Sequence, residues 1–244
     1  MKIWTGVAQG SDEWLALRLG IPTASNFHRV VTKKKAELSA QAADYALRLV
    51  AERLLNMPTE SSFSNPWMER GKDLEDMAVQ QYQFQFDVET VAVSFITTDD
   101  GSIGCSPDRL VVGSRRVAVE IKCPSPHVHL GYLLDGMTDD YKPQVQGQIL
   151  VAELERADLY AFHPHCPPAL IQTAPDEPYI AKLSDALKRF CGTLDDMHRR
   201  ALALGAFQPL RRVSTPALLR EVQDINAEFR RQNEKRFIAE GFTV

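Results

Sequence analysis

Three side chains able to do chemistry stand where a sheet interior is expected to be apolar. Ser106-Pro107-Asp108 lies in one run of strand-forming residues, and Val119-Glu120-Ile121-Lys122-Cys123-Pro124 closes the next. Side chains alternate along a strand, so Glu120 and Lys122 share one face while Val119, Ile121 and Cys123 take the other. A hairpin through Gly113-Ser114-Arg115-Arg116 brings Asp108 to them. With a three-residue loop at Ser114-Arg115-Arg116, Asp108 falls opposite Lys122 and Leu110 opposite Glu120. An even loop keeps Asp108 on that face only if a bulge intervenes.

Two carboxylates and an ammonium converging at a sheet edge suit phosphodiester hydrolysis. Carboxylates alone repel a backbone phosphate. A hard divalent ion held by Asp108, Glu120 and a backbone carbonyl, that of Ile121, reverses the local charge. Such an ion polarises the phosphoryl oxygen, lowers the pKa of a bound water and steadies the leaving oxygen. Lys122 is placed to orient or deprotonate that water and to screen developing charge. Oxygen ligands throughout favour Mg²⁺, with Mn²⁺ an acceptable substitute. The plainer alternative for a Glu-x-Lys triplet is a salt bridge between strands; Pro-Asp one hairpin upstream tells against it.

The elements that must position these residues are readable in outline. Ser11-Asp12-Glu13-Trp14, followed by Leu15 and Leu17, reads as a short capped helix ending at Gly20, and Pro22-Thr23-Ala24-Ser25 as a turn and a second helix start. Helical spacing predicts a helix over 36–55 through Ala42, Ala46, Leu49, Val50 and Leu54, and another over 68–84 through Leu74, Met77, Ala78 and Tyr82. The period then changes. Val91, Val93 and Phe95 alternate before the turn Asp99-Asp100-Gly101, and strands are expected over 103–112 and 117–121. A helix is expected over 140–155, with Pro143 tolerable in its first turn, and short strands over 159–162 and 169–172. Leu183, Leu187, Phe190, Leu194, Met197, Ala201 and Leu204 make one apolar stripe, best explained by packing on the chain's own core. A last amphipathic helix is expected over 216–239. The fold class is therefore α/β (or α+β), a central mixed sheet flanked by helices with a helical C-terminal region. One domain over 1–244 is expected, with a helical part over about 10–85, a sheet core over about 86–175 and a helical part over about 176–244.

Composition excludes little else. The 244 residues are 44% hydrophobic and 25% charged, ordinary for a globular chain. No apolar run approaches the roughly 18–20 residues needed to span a bilayer, and Met1 to Gly10 lacks a signal-peptide pattern, so a cytoplasmic protein with no membrane contact is expected. Cys105, Cys123, Cys166 and Cys191 are scattered and read as reduced. Net charge is −4, so no overall basicity advertises nucleic acid; the local cluster is Lys33-Lys34-Lys35. His127, His129, His163 and His165 with Cys166 have one-residue spacings unlike common zinc frameworks.

Ser106-Pro107-Asp108, Glu120-Ile121-Lys122-Cys123-Pro124 and Gln144-Val145-Gln146 resemble the PD-(D/E)xK nucleases, and within them the phage lambda exonuclease group, also called YqaJ-like viral recombinases. Trp14, Leu17-Arg18-Leu19-Gly20, Thr23-Ala24-Ser25 and Gly71-Lys72 with Glu75 follow the same pattern in family order. The resemblance implies a restriction-endonuclease-like core in a toroidal homotrimer. It implies digestion of one strand of linear duplex DNA from its 5′ end to mononucleotides, with a single-strand annealing protein as partner. By the same resemblance Asp108 and Glu120 are metal-binding carboxylates, Lys122 the catalytic lysine, Glu75 an acidic helix residue reaching the metal site, and Gln144 a glutamine lining it. Arg18 and Ser25, in a segment with Trp14 and Thr23, resemble the holders of the terminal 5′ phosphate. Met68 stands at the place of an apolar wedge that splits the end base pair, with an ordinary core role as its alternative. Gln144 and Gln148 lie one helical turn apart, so one is expected at the site and the other capping or solvated. Lys33, Lys34 and Lys35 are candidates for lining a DNA channel. Two rival readings are an endonuclease of the same superfamily, for restriction or repair, and a catalytically silent DNA-end-binding module.

Overall fold

The computed structural model describes residues 1–59, 66–113, 116–136 and 139–205, and of residues 66–73 the helical backbone only. Its centre is a five-stranded mixed sheet in the order β2 (Thr90–Ala92), β5 (Arg109–Val111), β6 (Val117–Lys122), β7 (Arg156–Ala161), β8 (Ala169–Thr173). Only the β6–β7 pair is parallel. A parallel neighbour demands a crossover, and α5 (Pro126–Asp135) with α6 (Lys142–Val151) supplies it. A smaller sheet joins β1 (Lys2–Trp4), β3 (Phe95–Thr97) and β4 (Gly104–Cys105).

Helices cover both faces of the large sheet. One face holds the main core, where Leu110, Ala118 and Ala157 meet side chains from α2 (Phe27–Val30), α3 (Ala42–Leu55), α6 and α7 (Glu177–Ala203). The other packs Val119, Ile121, Tyr160 and Phe162 against Ala78, Val79 and Tyr82 of α4 (Pro66–Phe86). The α7 stripe buries Leu183, Leu187, Phe190 and Leu194 in the chain's own core, with Met197 and Ala201 half-buried against it, but Leu204, expected at its end, lies past the helix and is 80% exposed. The expected helix over 216–239 lies outside the described residues, as do Ser114 and Arg115 of the hairpin loop.

Several boundaries differ from the sequence reading. The 36–55 helix begins at Ala42, because Ala36 turns left-handed at φ 51° and Val31 bridges to Leu38. The 140–155 helix spans Lys142–Val151 and ends where Glu153 takes φ 50°. Helix α5 was not anticipated, although Ser125-Pro126 and Gly136 frame it with the usual start and stop residues. The expected strands over 91–95 and 103–112 each break in two. The pairing register is the same on both sides of the break, so they form one ribbon that passes from the large sheet to the small one. Pro107, which has no N–H for a ladder bond, sits at the break, and the Gln9 amide spans it, donating to Val93 O (2.9 Å) and Pro107 O (3.0 Å).

Candidate active site

The break in the ribbon releases Asp108 from the ladder just before β5, and its carboxylate turns back on β6, accepting the Ile121 N–H at 2.6 Å. The hairpin register is Arg109 opposite Val119 and Leu110 opposite Ala118. This corrects the expected pairing of Leu110 with Glu120 and Asp108 with Lys122 by two residues. The cause is Arg116: its carbonyl accepts the N–H groups of Glu155 and Arg156, which holds it against the start of β7, directly before β6. A shift of two preserves the face, and Asp108, Glu120 and Lys122 still converge.

Glu120 is 4% exposed and fully bonded. Its Oε1 accepts Lys122 Nζ at 2.5 Å and Gln144 Nε2 at 2.6 Å, and its Oε2 accepts Gln148 Nε2 at 2.6 Å. The two glutamines are one turn apart on α6, and both face the site, contrary to the expectation that one would be solvated or capping. Gln148 is itself buried, and its Oε1 has no partner among the described residues. Lys122 Nζ also lies 5.5 Å from the Tyr141 ring centroid. Burial disfavours the Lys122 ammonium, but Glu120 and Asp108 outweigh it and hold its proton above the usual lysine range.

Asp108 shows the opposite strain. Burial and the nearby Glu120 push its carboxyl well above the ordinary aspartate range, against the pull of Lys122 and the Ile121 N–H, and Glu75 adds to the upward push. A carboxylate pair short of positive charge, Glu120 buried and Asp108 half-buried at a cavity wall, fits a divalent cation. Two carboxylates with room for waters and substrate oxygens match the habit of Mg²⁺, which seldom takes an all-protein cage. Glu75, on α4, borders the same cavity as Asp108 without a hydrogen bond to the set. Among the described residues no three His, Cys, Asp or Glu side chains gather as a metal cage. His129 instead donates from Nε2 to Pro167 O (2.8 Å), His163 Nδ1 accepts the His165 N–H (3.3 Å), and His127 Nδ1 lies 3.2 Å from Ser125 Oγ.

The N-terminal candidates form a second cluster beside the first. Helix α1 (Asp12–Arg18), capped by Ser11 on the Trp14 N–H, presents Arg18. Its Nη2 donates to Thr23 Oγ1 (3.1 Å) and Ser25 Oγ (3.2 Å), and its guanidinium carbon stacks 3.9 Å from the Trp14 ring centroid. Trp14 is fixed in turn by Nε1 donating to Ser94 O (2.8 Å) and Ser106 Oγ (3.2 Å), which ties the cluster to the strand that carries Asp108. Burial lowers the Arg18 pKa to about 10, opposed by Tyr45, Cys105, Glu52 and Glu120, so it stays charged at neutral pH. The pocket around Arg18 has a volume of about 140 Å³ and also takes in Tyr45, Arg48 and Glu52. Gly147 makes this proximity possible: a Cβ there would lie 2.5 Å from the Phe27 ring, so only glycine lets α6 close on the 23–27 segment.

The lysine cluster is not brought into this set. Lys33 pairs with Asp140 (2.6 Å) and Lys34 with Asp139 (3.6 Å), while Lys35 is exposed. The Met68 side chain lies outside the described residues. Gln9 is absent from the candidates of the sequence, and Gln148 enters there only as the alternative to Gln144. Helical spacing from Gln144 points to Gln148; nothing local points to Gln9.

The family model described as YqaJ-like viral recombinase domain matches residues 13–155, more than half of the chain. No curated protein matches it. Among solved structures, an alkaline exonuclease from Laribacter hongkongensis is similar at 26% identity and a TM-score of 0.71, over 80% of this chain and 98% of that one. That exonuclease in complex with dAMP matches at 27% identity, with the same TM-score and coverage. A phage related exonuclease from Haemophilus somnus, at 14% identity, shares the fold with a TM-score of 0.57, over 74% of this chain and 96% of that one.

Proposed function

The chain belongs to the YqaJ-like viral recombinase family, and from that we propose that it is a Mg²⁺-dependent exonuclease that digests one strand of linear duplex DNA from the 5′ end to mononucleotides. The observation that carries this reading is the convergence of Asp108, Glu120 and Lys122 beside an arginine pocket sized for a phosphate. The similarity to an alkaline exonuclease solved with a bound nucleotide supports it.

In this reading Asp108, Glu120 and the Ile121 carbonyl hold the cation, with Glu75 reaching it or its water. The bound cation supplies Lewis acidity and charge neutralisation at the phosphate. Gln144 and Gln148 fix the Glu120 carboxylate so that its lone pairs are already aimed. Lys122 keeps its proton at Nζ, which favours orienting the attacking water and screening developing charge over acting as its base. Arg18, stacked on Trp14 and joined by Thr23 and Ser25, grips a terminal 5′ phosphate with paired donors. That grip sets cleavage one nucleotide inward and makes digestion stepwise. Met68, at the start of α4, serves as the wedge that parts the end base pair, and Lys33, Lys34 and Lys35 face duplex in a homotrimeric ring. The 3′ single strand left behind is the substrate of a single-strand annealing protein, which places the enzyme in phage-type recombination.

The test uses linear duplex labelled at either end, with Mg²⁺ or with EDTA, beside a covalently closed circle. Release of the 5′ label first, in Mg²⁺ only, with the circle intact, is expected. Nicking of the circle would instead indicate an endonuclease, and tight end binding without product a silent module.

A further inference from the structure

A second, larger cavity opens on the other side of Asp108. Its volume is about 570 Å³, and Gln9, Glu75, Val91, Val93, Asp108 and Arg109 are among its lining residues. That size lies within the roughly 300–1,000 Å³ of sites that enclose small organic ligands, whereas the Arg18 pocket, about 140 Å³, holds little more than a phosphate and its waters. Trp14 stands between the two: it lines the small pocket and donates to Ser94 O on the wall of the large one.

Arg109 is the unexplained residue here. Its side chain is 19% exposed, and it donates once, from Nη1 to the Asp108 carbonyl at 3.0 Å. Its ion pair with Asp76 is long, 3.9 Å, and Asp76 is 88% exposed. A guanidinium has five N–H donors, so most of those on Arg109 are unspent among the described residues, at the wall of a cavity that also holds Asp108. The lining is apolar where the half-buried Val7 and Val91 lie, which suits the face of a base. The wall carries one cation and two acids, which admits a single diester phosphate against Arg109 and disfavours a polyanion.

We propose that this cavity receives the nucleotide on the 3′ side of the scissile linkage, with Arg109 holding its 3′ phosphate and the valines its base. The inference rests on the exonuclease reading, in which the scissile phosphate sits at Asp108 and the terminal one at Arg18. Arg18 and Arg109 line different cavities and Asp108 borders the second, so with the terminal phosphate at Arg18 the phosphate left for Arg109 is the one beyond the scissile linkage. Three consecutive phosphates are then gripped in order by Arg18, the Asp108–Glu120 site and Arg109. The strand keeps a hold on the protein after each terminal nucleotide leaves, which is what repeated cleavage without release requires.

The experiment gives the full chain linear duplexes with one methylphosphonate, which removes the charge of a single phosphate, at successive linkages from the 5′ end. Wild type should digest all-phosphate DNA and slow by about tenfold when the linkage next to the scissile one, on its 3′ side, is neutral. Arg109→Gln should lose a similar factor on all-phosphate DNA and no more on that modified duplex, and Arg109→Lys should keep part of both. Equal additional penalties in wild type and Arg109→Gln would overturn the proposal. So would a wild type indifferent to charge at that linkage, a result that stands even if the glutamine variant fails to fold. A wild type that digests no DNA in Mg²⁺ would overturn the exonuclease reading itself, and this inference with it.

Discussion

Glu120 and Asp158 lie on neighbouring strands one register step apart, since Val119 is the residue beside Asp158, and so they point to opposite faces of the same sheet. Both are buried, at 4% and 1% exposure. Their surroundings differ in kind. Asp158 accepts Tyr82 OH at 2.7 Å and pairs with Arg156 at 2.7 Å, under helix α4. Burial and Asp158 together push the Tyr82 hydroxyl pKa up, so it remains a donor. That set is charge-balanced, one acid to one guanidinium, although Arg156 Nε and Asp158 Oδ1 meet as an ion pair without hydrogen-bond geometry. Glu120 meets an ammonium, two neutral amides and, close by, a second carboxylate whose proton affinity is raised. Burial of an acid alone does not mark a site; an acid pair left short of positive charge, at the edge of a cavity, does.

The comparison is broken most directly by neutralising each acid. Glu120→Gln should keep the fold and lose activity: several kcal/mol of transition-state stabilisation corresponds to about 10³-fold or more in kcat. A single-turnover assay at saturating Mg²⁺ beside a melting curve checks it, and a variant that is unfolded or still active would erase the distinction drawn here. Asp158→Asn should do the reverse. It leaves Arg156 without its partner, a loss of roughly 2–3 kcal/mol, below the value for a fully buried pair because Arg156 is about a third exposed. Urea titration should show a lower midpoint with kcat per folded molecule unchanged.

How much of this contrast the sequence reveals depends on how local each cause is. Asp108, Glu120 and Lys122 are legible because charges inside an apolar run, with a period of two, are a local signal. The register is not, because Arg116, directly before β6, is held by the backbone N–H groups of Glu155 and Arg156, far along the chain. The ribbon break is half legible: Pro107 marks it, but the Gln9 amide that fills it comes from the far end of the chain. Arg156 and Asp158 fall outside the strand expected over 159–162, because two charges look like loop until Tyr82 of α4 is seen to meet them. Helix α5 is legible only in its flanking residues, because its first turn, through His127 to His129, carries no amphipathic signal.

A sharper form of the comparison concerns the amides. Gln144, Gln146 and Gln148 alternate along α6, but only the first and third reach Glu120; Gln146 donates to Ala174 O (3.0 Å) and accepts the Asp176 N–H (2.9 Å). Gln148→Leu keeps the volume and removes a donor to a charged acceptor, worth about 1.5 kcal/mol or somewhat more, so kcat should fall by about tenfold with KM little changed. Gln146→Leu should lower the melting temperature and leave kcat alone. Equal effects of the two on kcat would mean that α6 acts only as a scaffold.

The smallest effect belongs to a half-buried acid outside any carboxylate pair at a cavity. Asp176 caps α7, accepting the Tyr179 N–H at 3.1 Å and pairing with Lys142 at 2.8 Å, and the Lys142 bond, then the Tyr179 N–H, hold its carboxyl below the usual aspartate range. A depressed pKa means that the folded chain favours the ionised form, so the stabilisation is complete above the ordinary aspartate pKa near 4 and fades as pH falls through the depressed value. Asp176→Ala should cost about 1 kcal/mol, the usual worth of an N-cap, at neutral pH, and progressively less below pH about 4. Melting curves of both proteins across that range decide it. A difference that stays constant in acid would assign the loss to packing, and charge would then matter at the Asp108–Glu120 pair and not at this cap.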